Sequence, residues 1–398
     1  MDEDFCRQFM SMCRVSGGGA GEGEGERAKL PQRVAFMDLL LQSLESVQNK
    51  EYIEKHNLQA ESMEFFMLDN QKIIVNLSME ERVAVRAVFY KELPKENWVM
   101  NENPMMTHKI SWTSDKTKMV WAPEERRFGE ETLETSFTET EANTLSILQT
   151  KNSLKLVTDH LSSLFHPKTV SLRIAIEHFP DWINCCAWSY GAKLTRIVVI
   201  SMGARCTLPS NEFRFILEQG HPQKLLSFWC ISPPSQFDYD KALPVAHLSV
   251  CGSSCWIQKC NLLSKKLEAV SIHQCLLYAE DLRNLIELFL EDYWPKLKFL
   301  DLSLLKGASK AKLEKRVLRG WNALPPDPNR RSRYFMQFSD SCFQPYDCKD
   351  FIDIESRNGA LASVGVENEK FMLVVWHHGA PEGQGPTVSC RHADDEKY

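Results

Sequence analysis

A short apolar frame, L-x-x-L-x-L, returns along the stretch from about Thr169 to Leu302 and limits what this chain can fold into. Its clearest copy is Leu267, Val270 and Ile272, followed by Cys275, as in the L-x-x-L-x-L-x-x-N/C frame of a leucine-rich repeat. Leu297, Leu300 and Leu302 form a second copy. Earlier copies are Val245, Leu248, Val250; Leu225, Phe228, Cys230; Leu194, Ile197, Val199; and Thr169, Leu172, Ile174. The starts lie 25, 31, 20, 22 and 30 residues apart, irregular but near the length of a strand-plus-helix repeat. Between frames the spacing predicts helices over Asn211–Gln219, with Phe213, Ile216 and Leu217 on one face, and over Glu280–Tyr293, with Leu282, Leu285, Ile286 and Phe289 on one face. A strand–helix unit this small cannot bury its apolar face alone, so neighbours must stack into a shared core. The pattern fits either irregular leucine-rich-repeat-like units or an ordinary α/β domain. Both give a packed α/β body, and neither supplies a catalytic site.

The rest of the composition narrows the function classes. With 43% hydrophobic residues in 398, the chain can build two or three domains. A formal charge of -6 argues against a general nucleic-acid or membrane-surface binder. No apolar run approaches membrane-spanning length, and the acidic start MDEDFCRQFM has no signal-peptide core. The 13 cysteines are then expected to be reduced thiols in an intracellular protein, cytoplasmic or nuclear. Cys251, Cys255, Cys260 and Cys275 lack the paired C-x2-C spacing of a zinc knuckle, and strand-end positions account for two of them, so no metal or other cofactor is expected.

In chain order, residues 1–29 read as a disordered leader, because SGGGAGEGEGE holds almost nothing to bury. Residues 30–60 read as helical, with Val34, Met37, Leu40, Leu41, Leu44 and Val47 on one face; packing on the chain's own domain is favoured over partner binding. Residues 61–141 read as a small strand-rich unit with an acidic linker. Its strands are Phe65–Leu68 and Lys72–Leu77 around Asp69-Asn70, and Lys109–Trp112 with Met119–Trp121. Met79–Tyr90 reads as a short helix capped by Ser78, and Glu124–Glu141 as the linker. Residues 145–376 read as the repeat-like α/β domain, opened by a helix over Leu145–Phe165 whose face is Leu154, Val157, Leu161 and Leu164, stopped by Pro167. Near its end Asn358-Gly359 lies between Phe351–Ile354 and Leu361–Val366, and Glu367–Glu369 turns into Phe371–Trp376. This predicts a C-terminal antiparallel β meander. Residues 377–398 read as a disordered tail.

Chemistry-bearing motifs are sparse. There is no P-loop, GxGxxG, GxSxG or HExxH. Cys185-Cys186, with Trp182, Trp188 and His178 nearby, could hold a nucleophile, but a buried structural pair is the favoured reading. Adjacent His377-His378 would point to opposite faces of a strand and chelate poorly. The basic residues Lys310, Lys312, Lys315, Arg316 and Arg319, then Arg330, Arg331 and Arg333, read as a solvated helix face and loop rather than a nucleic-acid patch. The expectation is a binding protein, not an enzyme.

The C-terminal half carries a resemblance. LEAVSIHQC, DLRNLIELFLEDYWPKL, LKFLDLSLL and the closing DIESRNGALASV…FMLVVW resemble the type 2 F-box-associated domain of a large nematode family of F-box proteins. The closing motif is carried here by Asp353, Ile354, Asn358, Gly359, Ala362, Ser363, Val364, Phe371, Val375 and Trp376. KLVTDHLSSLF, LRIAI, WINCCAW and LTRIVVI extend the likeness to about residues 150–376; Glu355 and Ser356 stand where the family is usually basic. The resemblance implies a substrate-recognition subunit of a Skp–cullin–F-box ubiquitin ligase. Its target would bind through residues 150–376 and a Skp-type adaptor through an F-box in residues 30–60. Leu30, Pro31, Val34, Leu40 and Leu44 match the first half of such a motif, and KEYIEKHNLQAES lacks the second, so the F-box is degenerate or lost. The alternative is a stand-alone protein-binding module without ligase coupling.

Overall fold

The computed structural model describes residues 59–92 and 123–376, apart from short breaks at 70, 80–81, 139–143, 203–204, 220–221, 305–309, 325–326, 328–329, 339–342 and 368–369. It also describes positions 40, 41, 43, 44 and 54. The expected leader at 1–29, the hairpin over Lys109–Trp121, the His377-His378 pair and the tail lie outside the described residues, as does most of the 30–60 stretch. The fold is α/β, with fifteen strands of mixed sheet and few helices. The chain divides at Leu194–Thr195 into two compact units. The domain boundary expected at 141–145 falls inside the first, between its fifth and sixth strands.

The first unit is built from β1 (Ser62–Asp69), β2 (Lys72–Met79), β3 (Arg82–Tyr90), β4 (Glu124–Phe128), β5 (Glu131–Thr138), β6 (Thr144–Leu148), α1 (Ser153–Phe165) and β7 (Thr169–Ala175). Its strand order is β7-β1-β2-β3-β6-β5-β4. The expected β1–β2 pair forms, with Phe65 opposite Val75. Three expectations fail here. Met79–Tyr90 is not a helix: from Arg82 it is β3, and Val85, Ala87, Val88 and Phe89 are all fully buried. A run buried on both faces loses period-2 alternation and mimics a helix in sequence. The presumed linker holds a hairpin instead, in which Phe128 pairs with Glu131 around a two-residue turn whose Gly129 takes φ +62°. In β5, Leu133, Thr135 and Ser136 are buried despite the strand's polar look. Finally, the helix expected from Leu145 begins only at Ser153, because Leu145 and Ile147 belong to β6, paired parallel with β3. The end of α1 follows the rule used to place it. His166 turns left-handed (φ 40°), its N–H reaches Ser162 O at 3.1 Å, and Pro167 follows.

The second unit opens at β8 (Leu194–Ile200), followed by β9 (Cys206–Thr207), α2 (Ser210–Gln219), β10 (Leu225–Trp229), β11 (Ile231–Ser232), β12 (His247–Cys251), β13 (Ala269–Cys275), α3 (Ala279–Leu290) and β14 (Phe299–Leu304). Then come α4 (Lys310–Leu318), β15 (Tyr334–Phe338), β16 (Phe343–Asp347), β17 (Ile352–Glu355), β18 (Leu361–Glu367) and β19 (Lys370–Trp376). The sheet order is β8-β10-β12-β13-β14-β19-β18-β17. The first five are parallel and adjacent in chain order; β14–β19, β19–β18 and β18–β17 are antiparallel. The expected meander is therefore present. Its β17–β18 connection runs from Ser356 to Ala360, longer than a two-residue turn, and Gly359 takes the left-handed φ of +80°.

The apolar frames become one face of this sheet. Ile197, Leu226, Leu248, Val270 and Leu300 share one register row, and Val199, Phe228, Val250, Ile272 and Leu302 another; none is more than 1% exposed. The frame read as Leu225, Phe228, Cys230 is shifted: Leu226 and Phe228 are its inward pair, and Cys230 leaves the strand at φ +56°. On this face Phe213 of α2 stacks on Phe228 at 4.8 Å; α2 buries Phe213, Ile216 and Leu217, and α3 buries Leu282, Leu285, Ile286 and Phe289. Each such side chain contributes about 1.5–3 kcal/mol through burial. Within the parallel run, among the described residues, strand and helix alternate only from β8 to β10 and from β13 to β14. Pro233, Pro234 and Pro244 keep the β10–β12 connection irregular, and a single 3-10 turn (Lys259–Leu262) lies between β12 and β13.

Candidate interaction surface

The opposite face of the parallel strands follows from the same alternation, because side chains next to an inward residue point outward. Across β8, β10, β12, β13 and β14 one outward row is Val198, Ser227, Ser249, Ser271 and Asp301. The row before it is Arg196, Leu225, His247, Ala269 and Phe299; the row after it begins Ile200, Trp229, Cys251. The central row is small and hydroxyl-rich, so larger neighbours lie over it. Trp229 Nε1 donates to Ser227 Oγ at 2.8 Å.

Part of this face is closed by the chain itself. The hairpin of β15 and β16 and the segment after it lay Phe335, Cys348 and Phe351 over Met372 and Val374 of β19, with Phe299 and Trp376 at the margin. Phe335 lies 6.1 Å from Phe299 and 5.6 Å from Trp376, centroid to centroid. Tyr346 donates its hydroxyl to Asp301 Oδ2 at 2.8 Å, and Lys370 Nζ lies 3.7 Å from the same oxygen. Over β8–β13 the face is open in part: Val198, Leu225, Ser227 and Ala269 are buried, and the residues around them keep solvent contact. Arg196 and His247 are exposed, while Ile200, Trp229, Ser249, Cys251, Ser271 and His273 are half-buried. Burial holds the His273 imidazole below its usual pKa, against the pull of Asp301. At the C-terminal ends of the strands stand the exposed apolar side chains Met202, Leu276 and Tyr278. There Arg205 donates to Gln274 Oε1 at 3.3 Å, joining the loop after β8 to the end of β13. The arrangement offers hydroxyl, imidazole, indole and guanidinium groups along a row of strands, which suits hydrogen bonding and apolar contact with another polypeptide.

No protein-family model, curated protein or solved structure matches this chain.

The closing-motif residues assemble into one buried network. Arg331 Nε meets Asp353 Oδ2 at 2.8 Å and Arg331 Nη2 meets Cys348 O at 3.0 Å. Ser363 donates to Asp353 Oδ1 at 2.6 Å, and Trp376 Nε1 donates to Ser363 Oγ at 2.8 Å. Ile354, Ala362, Val364, Phe371 and Val375 are buried on the opposite face of the same strands, and Asn358 and Gly359 form the turn. These residues hold the meander together. Ser356 is buried and donates to Asp292 Oδ1 at 2.6 Å. Arg331 does not belong to the solvated basic face that its sequence neighbours suggest. It is 6% exposed, and only its buried partner Asp353, 22 residues away, marks it out. Lys315, Arg316 and Arg319 of that run are exposed.

Of the five adaptor candidates, Leu30, Pro31 and Val34 lie outside the described residues. Leu40 is fully buried and Leu44 half-buried. Positions 40, 41, 43 and 44 are helical, and Ser43 Oγ lies 2.8 Å from His160 Nε2 of α1, so this helix packs within the first unit.

The four cysteines weighed as zinc ligands engage separate oxygens or none. Cys275 donates to Ser303 O and Cys260 to Gln258 Oε1, while Cys255 faces Gln274 O. Burial pushes the Cys275 thiol up to about 11. Among the described residues no three His, Cys, Asp or Glu side chains converge on one point. Cys185 and Cys186 lie not in an α-helix but at the junction of two 3-10 turns, Trp182–Asn184 and Cys186–Lys193. Among the described residues no helix is long and apolar enough to cross a membrane.

Proposed function

We propose that this chain is an intracellular protein-interaction protein, cytoplasmic or nuclear, and acts as a substrate receptor of a Skp–cullin–F-box-type ubiquitin ligase rather than as an enzyme. In this reading the parallel run from β8 to β14 is an irregular leucine-rich-repeat-like stack, and its outward face over β8–β13 holds a protein target. The observation that carries the reading is this face. Five parallel strands in chain order present aligned rows on which Arg196, Trp229, His247, Ser249, Ser271 and His273 keep solvent contact, and among the described residues the β15–β16 hairpin covers the β14–β19 end. The joining of the motif residues Asp353, Ser363 and Trp376 into one buried network supports the resemblance.

A second reading, a stand-alone binding module without ligase coupling, is favoured by one observation: Leu40 is spent on the first unit's own core. A pull-down with purified Skp-type adaptor separates the two. Truncating the N-terminal segment would remove Leu40 and Ser43 from the first unit, so the comparison is between the full chain and the full chain carrying Leu30→Asp and Val34→Asp. Retention of the wild type and loss of the variant supports the receptor. Absence of binding by the wild type leaves the stand-alone module.

A further inference from the structure

The vicinal thiols of the first unit are not used by the interaction reading. Cys185 has extended backbone (φ -61°, ψ 134°), and Cys186 starts the 3-10 segment. A hydrogen bond joins the two thiols, so the sulfurs face each other. Around them, Cys185 Sγ lies 3.4 Å from Met67 Sδ on β1, and Cys186 Sγ lies 3.6 Å from Thr158 Oγ1 on α1. Trp188 Nε1 donates to Trp182 O at 2.9 Å, and the two indoles lie 5.9 Å apart, which ties the turn before the cysteines to the segment after them. Both thiols are half-buried rather than sealed in the core, unlike Cys275 and Cys348.

The two sulfurs are also unequal. A hydrogen bond with Cys186, then burial, push the Cys185 thiol well up, and the same contact lowers Cys186. Among the charged neighbours, Asp159 opposes ionisation of Cys186, and Lys155 and Tyr190 lie within its field.

We propose that Cys185-Cys186 is a peroxide-sensitive modification site, with Cys186 as the attacking sulfur and Cys185 as the resolving one. The Cys186 thiolate attacks an oxygen of a hydroperoxide and the O–O bond breaks. The leaving oxygen takes up a proton as water or an alcohol, and Cys186 becomes a sulfenic acid. The Cys185 sulfur then displaces hydroxide from the Cys186 sulfur. The S–S bond forms as the S–O bond breaks, and hydroxide leaves with the Cys185 proton as water. Two thiols lose two electrons and one hydroperoxide gains them.

The full chain treated with hydrogen peroxide, alkylated, digested and weighed tests this. The expected result is a two-hydrogen mass loss confined to the peptide holding residues 185–186, reversed by dithiothreitol, while Cys275 and Cys348 stay alkylatable after unfolding. Cys185→Ser should leave a sulfenic acid on Cys186 that dimedone traps. Cys186→Ser should slow oxidation of the remaining thiol by about tenfold or more, since the thiolate is the nucleophile. Full alkylation of both thiols in the treated wild type, or equal oxidation rates in the two variants, overturns the assignment. The wild-type mass measurement decides even where a variant fails to fold.

Discussion

Gly365 lies in β18 opposite Met372 of β19, directly beneath the Phe351 ring. Its φ is not in the left-handed region, so alanine suits the backbone there. On conformational grounds alone Gly365→Ala should stabilise the fold by about 0.5–1 kcal/mol, through the unfolded chain. The structure reverses that sign. A Cβ on Gly365 would come 2.7 Å from Phe351 Cγ and closer still to Cδ1 and Cε1, inside the 3.0 Å that Cβ atoms keep. Phe351 is 6% exposed and packed against Phe335, Cys348, Met372 and Val374, so the ring has little room to yield. Overpacking of this kind costs about 1–3 kcal/mol, and the net expectation is a loss of about 1–2 kcal/mol. Phe351→Ala alone should cost about 3–5 kcal/mol. With the ring gone, Gly365→Ala should be neutral or stabilising by about 0.5 kcal/mol, a coupling of about 2 kcal/mol in the double-mutant cycle. Urea unfolding followed by tryptophan emission measures all four proteins, provided the m-value stays constant. If Gly365→Ala stabilises the wild type, or costs the same with and without Phe351, the contact does not govern this position.

Other positions give equally direct tests. Asp353→Ala strands the Arg331 guanidinium at a site where the two side chains are 5% and 1% exposed, and should cost about 3–5 kcal/mol in chemical unfolding. Replacing both partners with apolar residues should cost less; an equal or larger loss would show that the pair is not the controlling interaction. Arg283 donates to the carbonyls of Arg316, Val317 and Arg319 at the end of α4, the last at 2.7 Å, and stacks on Trp321 at 4.6 Å. Arg283→Ala should cost about 1–2 kcal/mol and raise amide exchange in α4, and Arg283→Lys should not restore it. His273 has a folded pKa lowered by burial, so below the usual 6.5 the unfolded chain binds more protons than the folded one. Stability should therefore be free of this penalty above that value and fall as pH drops from 7 toward 5. His273→Gln should flatten the slope, and an unchanged slope would assign it to other groups. Leu40→Ala should lower stability by about 2–5 kcal/mol if this leucine belongs to the first unit's core, and a neutral result would free it for a partner.

Local pattern determined a definite share of this protein. The inward faces of α2 and α3, the frames of β8, β12, β13 and β14, the β1–β2 pair and the meander of β17, β18 and β19 could all be read from the local sequence. In α2 and α3 one face is buried and the other is not, and the contrast prints a period on the sequence. β18 and β19 are buried on both faces and were legible from the turn residues Asn358-Gly359 instead. Where neither a period nor a turn signal was present, the reading failed. β3 is buried on both faces and passed for a helix, and β5 is polar yet buried and passed for a linker. Tertiary structure alone decided the partnerships. Arg331 with Asp353, Ser363 with Trp376 and Phe351 over Gly365 join residues on different strands or loops, so no spacing rule records them. It also decided which part of the outward sheet face the β15–β16 hairpin covers, and that Leu40 is buried in the first unit's core. Strand pairing and burial are settled by contacts between residues far apart in the chain, which local periodicity does not encode.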